Sequence, residues 1–209
     1  MSILDRIASR LGRQDEIPNQ DLARDLAFRR DRDGIRAIAA ALREADPAVQ
    51  SDCIKVLYEI GAIQPGLIAE YSGDFLRLLQ SPHNRLVWGG MLALSTLADI
   101  QADELFLHAV EIQRAVLSGS VITVDAGVKT LALIAAQRKS YAKELFPFLL
   151  DHLAHCRPKD VAQHAEKTCV AVNDVNRTQF LSVLENRMPD LTPAQAGRVR
   201  KVMRAAGGQ

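Results

Sequence analysis

One stretch of this sequence recurs at a fixed spacing, and this recurrence constrains the fold more than any other feature. The apolar and small residues between Val49 and Gly61 return after 37 residues, after a further 37, and a fourth time 38 residues later. A period of this length is typical of stacked helical hairpins, in which each unit buries its apolar face against its neighbours. The later copies are marked by Leu86, Gly90, Leu94, Leu97 and Ala98, then by Thr123, Gly127, Leu131, Ile134 and Ala135, and finally by Val161, Ala165, Cys169, Val172 and Asn173.

Apolar spacing and turn residues predict an all-α chain of about four to five helical pairs. Three dipeptides are typical of the start of a helix, where one residue precedes the helix and a proline forms its first position. They are Asp46–Pro47, Ser81–Pro82 and Arg157–Pro158. The predicted pairs cover 34–44 with 48–61, 65–80 with the helix that holds Trp88, 102–117 with 121–137, and 140–154 with 159–173. Ser72–Gly73 is expected to break the helix over 65–80.

Further helices are expected at both ends of the array. Residues 2–12 place Ile3, Leu4, Ile7 and Leu11 on one face, which predicts an amphipathic helix that ends near Gly12. Such a helix covers the exposed end of a stack, or it anchors a protein to a membrane surface. The remaining terminal helices are predicted over 19–30, 175–187 and 193–205.

The second repeat resembles a HEAT repeat of the armadillo-like superfamily. The resemblance rests on Phe75, Leu76, Leu78 and Leu79 before Ser81–Pro82, and on Leu86, Val87, Gly90, Leu92, Leu94, Leu97 and Ala98 after it. Pro147 resembles the proline that often kinks the first helix of such units. The resemblance implies one right-handed α–α superhelix over 1–209, with repeats at 34–173 and capping helices at 1–33 and 174–209. It also implies a scaffold that binds protein, or less often nucleic acid, on its concave surface.

Outward positions of the repeat recur at the same offset as the core, so they nominate a surface on the second helix of each pair. One row contains Ser51, Trp88, Asp125 and Gln163, and the next contains Lys55, Leu92, Lys129 and Lys167. We expect Trp88, Asp125, Lys55, Lys129, Gln163 and Lys167 to bind a partner. The alternative is an ordinary solvated helix face, with Asp125 supporting Lys129 four residues on and Trp88 turned into the core.

Cysteine and histidine patterns predict neither a metal site nor a cofactor. His152 and His155 offer only a local pair three residues apart, and a structural zinc site needs two more convergent ligands, although Cys156, His164 and Cys169 lie nearby in the sequence. Three cysteines without close pairing fit a reducing compartment, so we expect a cytoplasmic protein.

Composition and motifs point away from catalysis and towards binding. The chain lacks a Gly-rich phosphate loop, a Gly-x-Ser-x-Gly elbow and a His-Glu-x-x-His helix, so no catalytic residue is assigned. No apolar run is long enough to cross a membrane. Residues 1–105 carry a net charge of −4 and residues 106–209 carry +5, which favours an acidic partner for the second half. We therefore expect a protein-binding scaffold, with a HEAT-like DNA-binding protein or alkylated-base DNA glycosylase as the alternative.

Overall fold

Helices make up the regular structure of this protein. The computed structural model describes residues 2–44 and 46–207, and this part of the chain contains twelve α-helices, short 3₁₀ turns and no strand. The α-helices are α1 (Ile17–Arg29), α2 (Arg32–Ala40), α3 (Pro47–Ile63), α4 (Ser72–Leu78), α5 (Asn84–Leu97), α6 (Ala102–Leu107), α7 (Ala109–Ser118), α8 (Val121–Gln137), α9 (Lys139–His155), α10 (Pro158–Thr168), α11 (Arg177–Arg187) and α12 (Pro193–Gly207). The prediction of an all-α fold is confirmed.

The helices begin where the turn chemistry predicts. The Asp46 side chain accepts a hydrogen bond from the Ala48 N–H at 2.9 Å, and Pro47 opens α3. Proline suits this position because the first N–H of a helix has no intrahelical partner. Pro158 opens α10 in the same way, whereas α5 begins at Asn84, two residues after Pro82.

The core register of the repeat is buried in the first three copies. The register includes the leucine near the middle of each helix, and Leu57, Leu94 and Leu131 are all fully buried. The fourth copy follows the register only in its first half, where Val161 and Ala165 are fully buried. Beyond Thr168 helix α10 gives way to a 3₁₀ turn over Cys169–Ala171, so the helix predicted over 159–173 is too long.

The small-residue register marks places where helices pack closely. A side chain at Gly90 on α5 would place its Cβ 2.8 Å from the Phe75 carbonyl oxygen of α4. A Cβ at Gly127 on α8 would collide with Val116 of α7. The small residue therefore lets the two helices of a pair approach each other.

The first residues do not form the predicted amphipathic α-helix over 2–12. Ile3–Arg6 makes a single 3₁₀ turn, and irregular turns follow. The Ala8 N–H donates to the Asn19 side chain at 3.0 Å, and the Ser9 N–H donates to Asp52 at 2.7 Å. Asn19 also donates to Asp52 at 2.7 Å. The side chains of Asn19 and Asp52 thus accept hydrogen bonds from backbone N–H groups that would donate to carbonyl groups in a helix.

Two other predicted helices are interrupted. Two 3₁₀ turns occupy Pro65–Leu67 and Ala69–Tyr71, and α4 begins at Ser72, where a break was expected. The helix predicted over 102–117 is divided into α6 and α7 at His108. Pro147 does lie inside a continuous helix, α9.

The chain forms two compact units. The first unit contains the residues up to Gln101 and Val110–Gly127, and the second contains Ala102–Ala109 and the residues from Val128 onward. In the first unit α3 packs against α1 and α5, and α4 packs against α5. In the second unit α11 packs against α9 and α12, and α10 packs against α12. The single array over 1–209 with capping residues 1–33 and 174–209 stays a prediction.

None of the described helices combines the length and apolar character that a membrane span requires.

Candidate functional site

Two aromatic side chains from neighbouring helices meet in the first unit. Trp88 on α5 is half-buried, and its ring centroid lies 6.1 Å from that of Tyr58 on α3, with the planes tilted by 53°. The Arg85 guanidinium lies 5.4 Å from the centre of the Trp88 ring. Both geometries fall in the range of favourable aromatic and cation–π contacts. Trp88 is therefore partly accessible and positioned by two neighbours.

Lys55 is buried, so the expectation that it faces outward is wrong. Its side chain is 7% exposed, and its Nζ lies 2.9 Å from Glu16 Oε2 and 2.6 Å from Glu59 Oε1. The same nitrogen lies 4.9 Å from the centre of the Tyr58 ring. Burial opposes the charge of Lys55, but its hydrogen bonds with Glu59, Tyr58 and Glu16 outweigh burial and raise its pKa. Glu16 lies just before α1, far from Lys55 in the sequence. It contacts Lys55, which the repeat spacing alone predicts to face solvent.

Glu16 joins the two cations that accompany the aromatic rings. Its other carboxylate oxygen lies 2.9 Å from an Arg85 guanidinium nitrogen. Hydrogen bonding with Lys55, and then with Arg85, lowers the pKa of Glu16 despite partial burial. We call Glu16, Lys55, Tyr58, Arg85 and Trp88 the aromatic–cation cluster. Within this cluster the Glu16 carboxylate lies between the two cations, Lys55 and Arg85. Each of these cations lies beside an aromatic ring.

Asp125 lies on a helix next to the one that carries Trp88. It is half-buried on α8, and Met91 of α5 lies 3.3 Å from the position of a Cβ added at Gly127 of α8. The two helices are therefore neighbours within the first unit. Ser51, in the same predicted row, donates its hydroxyl to the Pro47 carbonyl of its own helix at 2.7 Å. A shared surface of Trp88 and Asp125 stays a prediction.

The other predicted partner-binding residues belong to the second unit. Lys129 on α8 and Gln163 on α10 are exposed, and Lys167 on α10 is half-buried. Their exposure fits a binding surface, and their role stays a prediction. In α12 the basic Arg198 makes a two-pronged contact with the Glu166 carboxylate at 2.9 and 2.7 Å, so one charge of that basic helix already has an anionic partner.

The second unit brings together histidines that the sequence spacing left apart. His152 Nε2 on α9 lies 2.9 Å from His164 Nδ1 on α10, and the ring centroids are 4.8 Å apart. Cys156 ends α9, and the ligand atoms of these three residues all lie within 4.8 Å of one another. The expectation that only His152 and His155 could pair locally is wrong, because α10 returns along α9. His155 instead contacts the Asp151 carbonyl of its own helix at 2.8 Å.

The sequence analysis missed Tyr58, Arg85 and Glu16. Arg85 lies three residues before Trp88, a spacing that places two side chains on one helix face, so this signal was available. Tyr58 lies in neither of the two outward rows that the repeat offset nominates. Nothing in the local sequence connects Glu16 with Lys55.

Comparisons with known proteins identify the fold. No family model matches the chain, and no curated protein matches its sequence. Among solved structures, a designed armadillo repeat protein matches with a TM-score of 0.65 and 14% identity, over 97% of this chain and 99% of the other. Computationally designed armadillo repeat proteins for modular peptide recognition match with a TM-score of 0.66 and 14% identity, over 97% and 98%. An engineered protein matches with a TM-score of 0.63 and 16% identity, over 99% and 97%.

These similarities extend over nearly the whole chain while sequence identity stays low, so they concern the fold alone. They agree with the 37-residue recurrence and the paired helices. The chain therefore has an all-helical, armadillo- or HEAT-like repeat fold.

Proposed function

We propose that this protein is a non-catalytic scaffold that binds a peptide segment of a partner protein on the second helices of its repeats. In the first unit Trp88 and Asp125 bind the segment, and Lys129, Gln163 and Lys167 form the binding residues of the second unit. The observation that carries the proposal is the half-exposed Trp88 ring, held by Tyr58 and Arg85 on a repeat fold. Tryptophan, tyrosine and arginine are the residues that most often dominate binding energy in protein interfaces.

The aromatic–cation cluster indicates the chemistry of the segment. It already holds the Glu16 carboxylate between Lys55 and Arg85. An acidic side chain of a partner can take the same place at Arg85, which is 43% exposed in its side chain, when Glu16 moves aside. The positive charge of residues 106–209 favours the same class of partner at the binding residues of the second unit. Asp125 supplies a carboxylate that accepts hydrogen bonds from peptide N–H groups.

The only tryptophan of the chain lies in the proposed site, so its fluorescence reports binding directly. Peptides selected from a display library against the full chain are measured by Trp88 emission and by calorimetry, together with versions in which Asp and Glu are replaced by Lys. We expect acidic peptides to bind saturably and to shift the emission, and the Lys versions to fail. Trp88→Ala should weaken binding by about 30-fold, because a central aromatic contact contributes about 2 kcal/mol.

Phe28→Ala is the matched control, since Phe28 is an aromatic residue of the first unit that is 91% exposed on α1. It should leave the affinity unchanged. Equal losses in both variants, or no peptide binding at all, would contradict the proposal.

Duplex DNA is tested at low salt, where phosphate contacts are strongest. Binding of DNA that depends on Trp88 would favour the DNA-binding alternative instead.

A further inference from the structure

Three potential metal ligands converge in the second unit. We call His152, Cys156 and His164 the His–Cys cluster. His164 is 4% exposed, and the other two are half-buried. One ring nitrogen of each histidine and the Sγ of Cys156 lie within 4.8 Å of one another. His152 Nε2 and His164 Nδ1 are 2.9 Å apart. Two imidazoles and one thiolate form a donor set that suits Zn²⁺ and similar borderline ions.

The backbone that carries this cluster is held by other contacts. Arg187 of α11 donates to the Leu153 carbonyl at 2.6 Å and to the Cys156 carbonyl at 2.8 Å. It also contacts Asp190 at 2.9 Å. These bonds satisfy carbonyl groups at the C-terminus of α9, where a helix leaves them without partners. Arg187 therefore fixes the end of α9 against α11.

The distances are close to those that a tetrahedral ion imposes. With metal–nitrogen bonds near 2.0 Å and a metal–sulfur bond near 2.3 Å, two nitrogen ligands lie about 3.3 Å apart and a nitrogen and a sulfur about 3.5 Å apart. The His152 and His164 nitrogens start at 2.9 Å. The ligand atoms of the whole cluster lie as far as 4.8 Å from one another. The side chains must therefore draw together by about 1 Å to hold an ion, which then replaces the hydrogen bond between the two rings.

Acidic side chains lie around the cluster. Burial, together with the neighbouring His164, lowers the pKa of His152 to about 4. Asp160 and Asp151 oppose this shift and place negative charge nearby. Burial raises the pKa of the Cys156 thiol, and Arg187 opposes it by favouring the thiolate.

We propose that the His–Cys cluster is a binding site for Zn²⁺ or a similar divalent ion. His152 Nε2, His164 Nδ1 and Cys156 Sγ are the protein ligands, and water completes the tetrahedron. Without the ion, one of these two facing nitrogens carries the proton of the hydrogen bond between the rings. On binding, that ring passes this proton through solvent to its other nitrogen, so both facing nitrogens become unprotonated ligands. The Cys156 thiol releases its proton to solvent as the metal–sulfur bond forms, and nothing is oxidised or reduced.

The test is a titration of the metal-free full chain with Co²⁺, followed by competition with Zn²⁺. Co²⁺ bound by a thiolate gives a sulfur-to-cobalt charge-transfer band in the near ultraviolet, and tetrahedral Co²⁺ gives intense visible bands. We expect both signals to saturate at one ion per chain and to disappear when Zn²⁺ is added. Cys156→Ser should abolish the charge-transfer band, and His152→Ala should weaken binding about 100-fold or more, since even indirect partners of a ligand contribute 10- to 100-fold.

The chain offers a matched control for each ligand type. His155→Ala removes a histidine of the same helix whose Nδ1 contacts Asp151, and Cys169→Ser removes another half-buried thiol of the same unit. Both should keep the bands and the affinity. Absence of the bands in the wild-type chain, their survival in Cys156→Ser, or an equal loss in His155→Ala would overturn the proposal. Far-ultraviolet circular dichroism of each variant separates loss of ligands from loss of fold.

Discussion

The fourth copy of the repeat differs from the first three in how far its core extends. Helices α3, α5 and α8 span 17, 14 and 17 residues, whereas α10 spans 11. The central leucine of the first three copies is fully buried, but its equivalent in the fourth, Cys169, is half-buried outside the helix. Polar His164 and Thr168 are buried beside the shortened register. The fourth copy thus lacks the fully buried leucine of the first three, and the predictions begin with this difference.

The largest difference is expected at the central apolar position of each copy. Leu94→Ala removes a fully buried side chain of α5 and should lower the free energy of unfolding by about 2 to 5 kcal/mol. Cys169→Ala at the equivalent position should cost less than about 1 kcal/mol, because that side chain is smaller and partly exposed. Urea denaturation of both variants measures the difference. Equal losses would show that the fourth copy depends on this position as strongly as the second.

Close helix packing predicts opposite effects for two glycine substitutions. Gly90→Ala places a Cβ 2.8 Å from the Phe75 carbonyl oxygen, so α4 and α5 must separate, at a cost of about 1 to 3 kcal/mol. Gly197 on α12 has no heavy atom within 4 Å of its added Cβ, so Gly197→Ala should stabilise the protein by about 0.4 to 1 kcal/mol. Thermal unfolding followed by circular dichroism compares the two. A stabilising Gly90→Ala would contradict the packing of the small-residue register.

The smallest effect concerns a buried hydroxyl of the fourth copy. Thr168 is fully buried, and among the described residues its Oγ1 has no hydrogen-bond partner. Thr168→Val keeps the shape and removes the unpaired group, so it should raise the free energy of unfolding by about 1 kcal/mol. Thr123→Val is the matched control in the third copy, where the hydroxyl lies 3.1 Å from the Ser120 hydroxyl. That variant should be destabilised, and a gain in both would refute the explanation.

The sequence predicts the repeating part of this fold well because the recurrence is local. Positions such as Leu57 and Leu94 are buried by helices that neighbour them along the chain, so their spacing alone reveals the core. The same reasoning fails at Lys55, where Glu16 approaches from a segment far away in the sequence. It fails also at His152, whose partner His164 belongs to the next helix. Contacts between distant segments leave no period, so sequence spacing does not display them.

The proposed partner surface also contains one residue that the repeat spacing reveals and one that it does not. The repeat offset selects Trp88, which the structure places half-exposed between Tyr58 and Arg85. It does not select Tyr58, because the equivalent positions in the next two copies, Ser95 and Ala132, are buried and belong to no outward row. An offset detects what the copies share, whereas a binding site depends on what one copy has alone.

The bonds between the first turns and α3 have a consequence for synthesis of the chain. Ser9 hydrogen-bonds with Asp52, which lies 43 residues later. At ordinary rates of translation those residues need about 2 to 9 seconds to be made. During that interval the segment carrying Ile7 and Ala8 has not yet met the acidic residue that holds it, and its apolar side chains are open to chaperones. The segment around Ser9 is made before its partner and can settle in place only after Asp52 has been made.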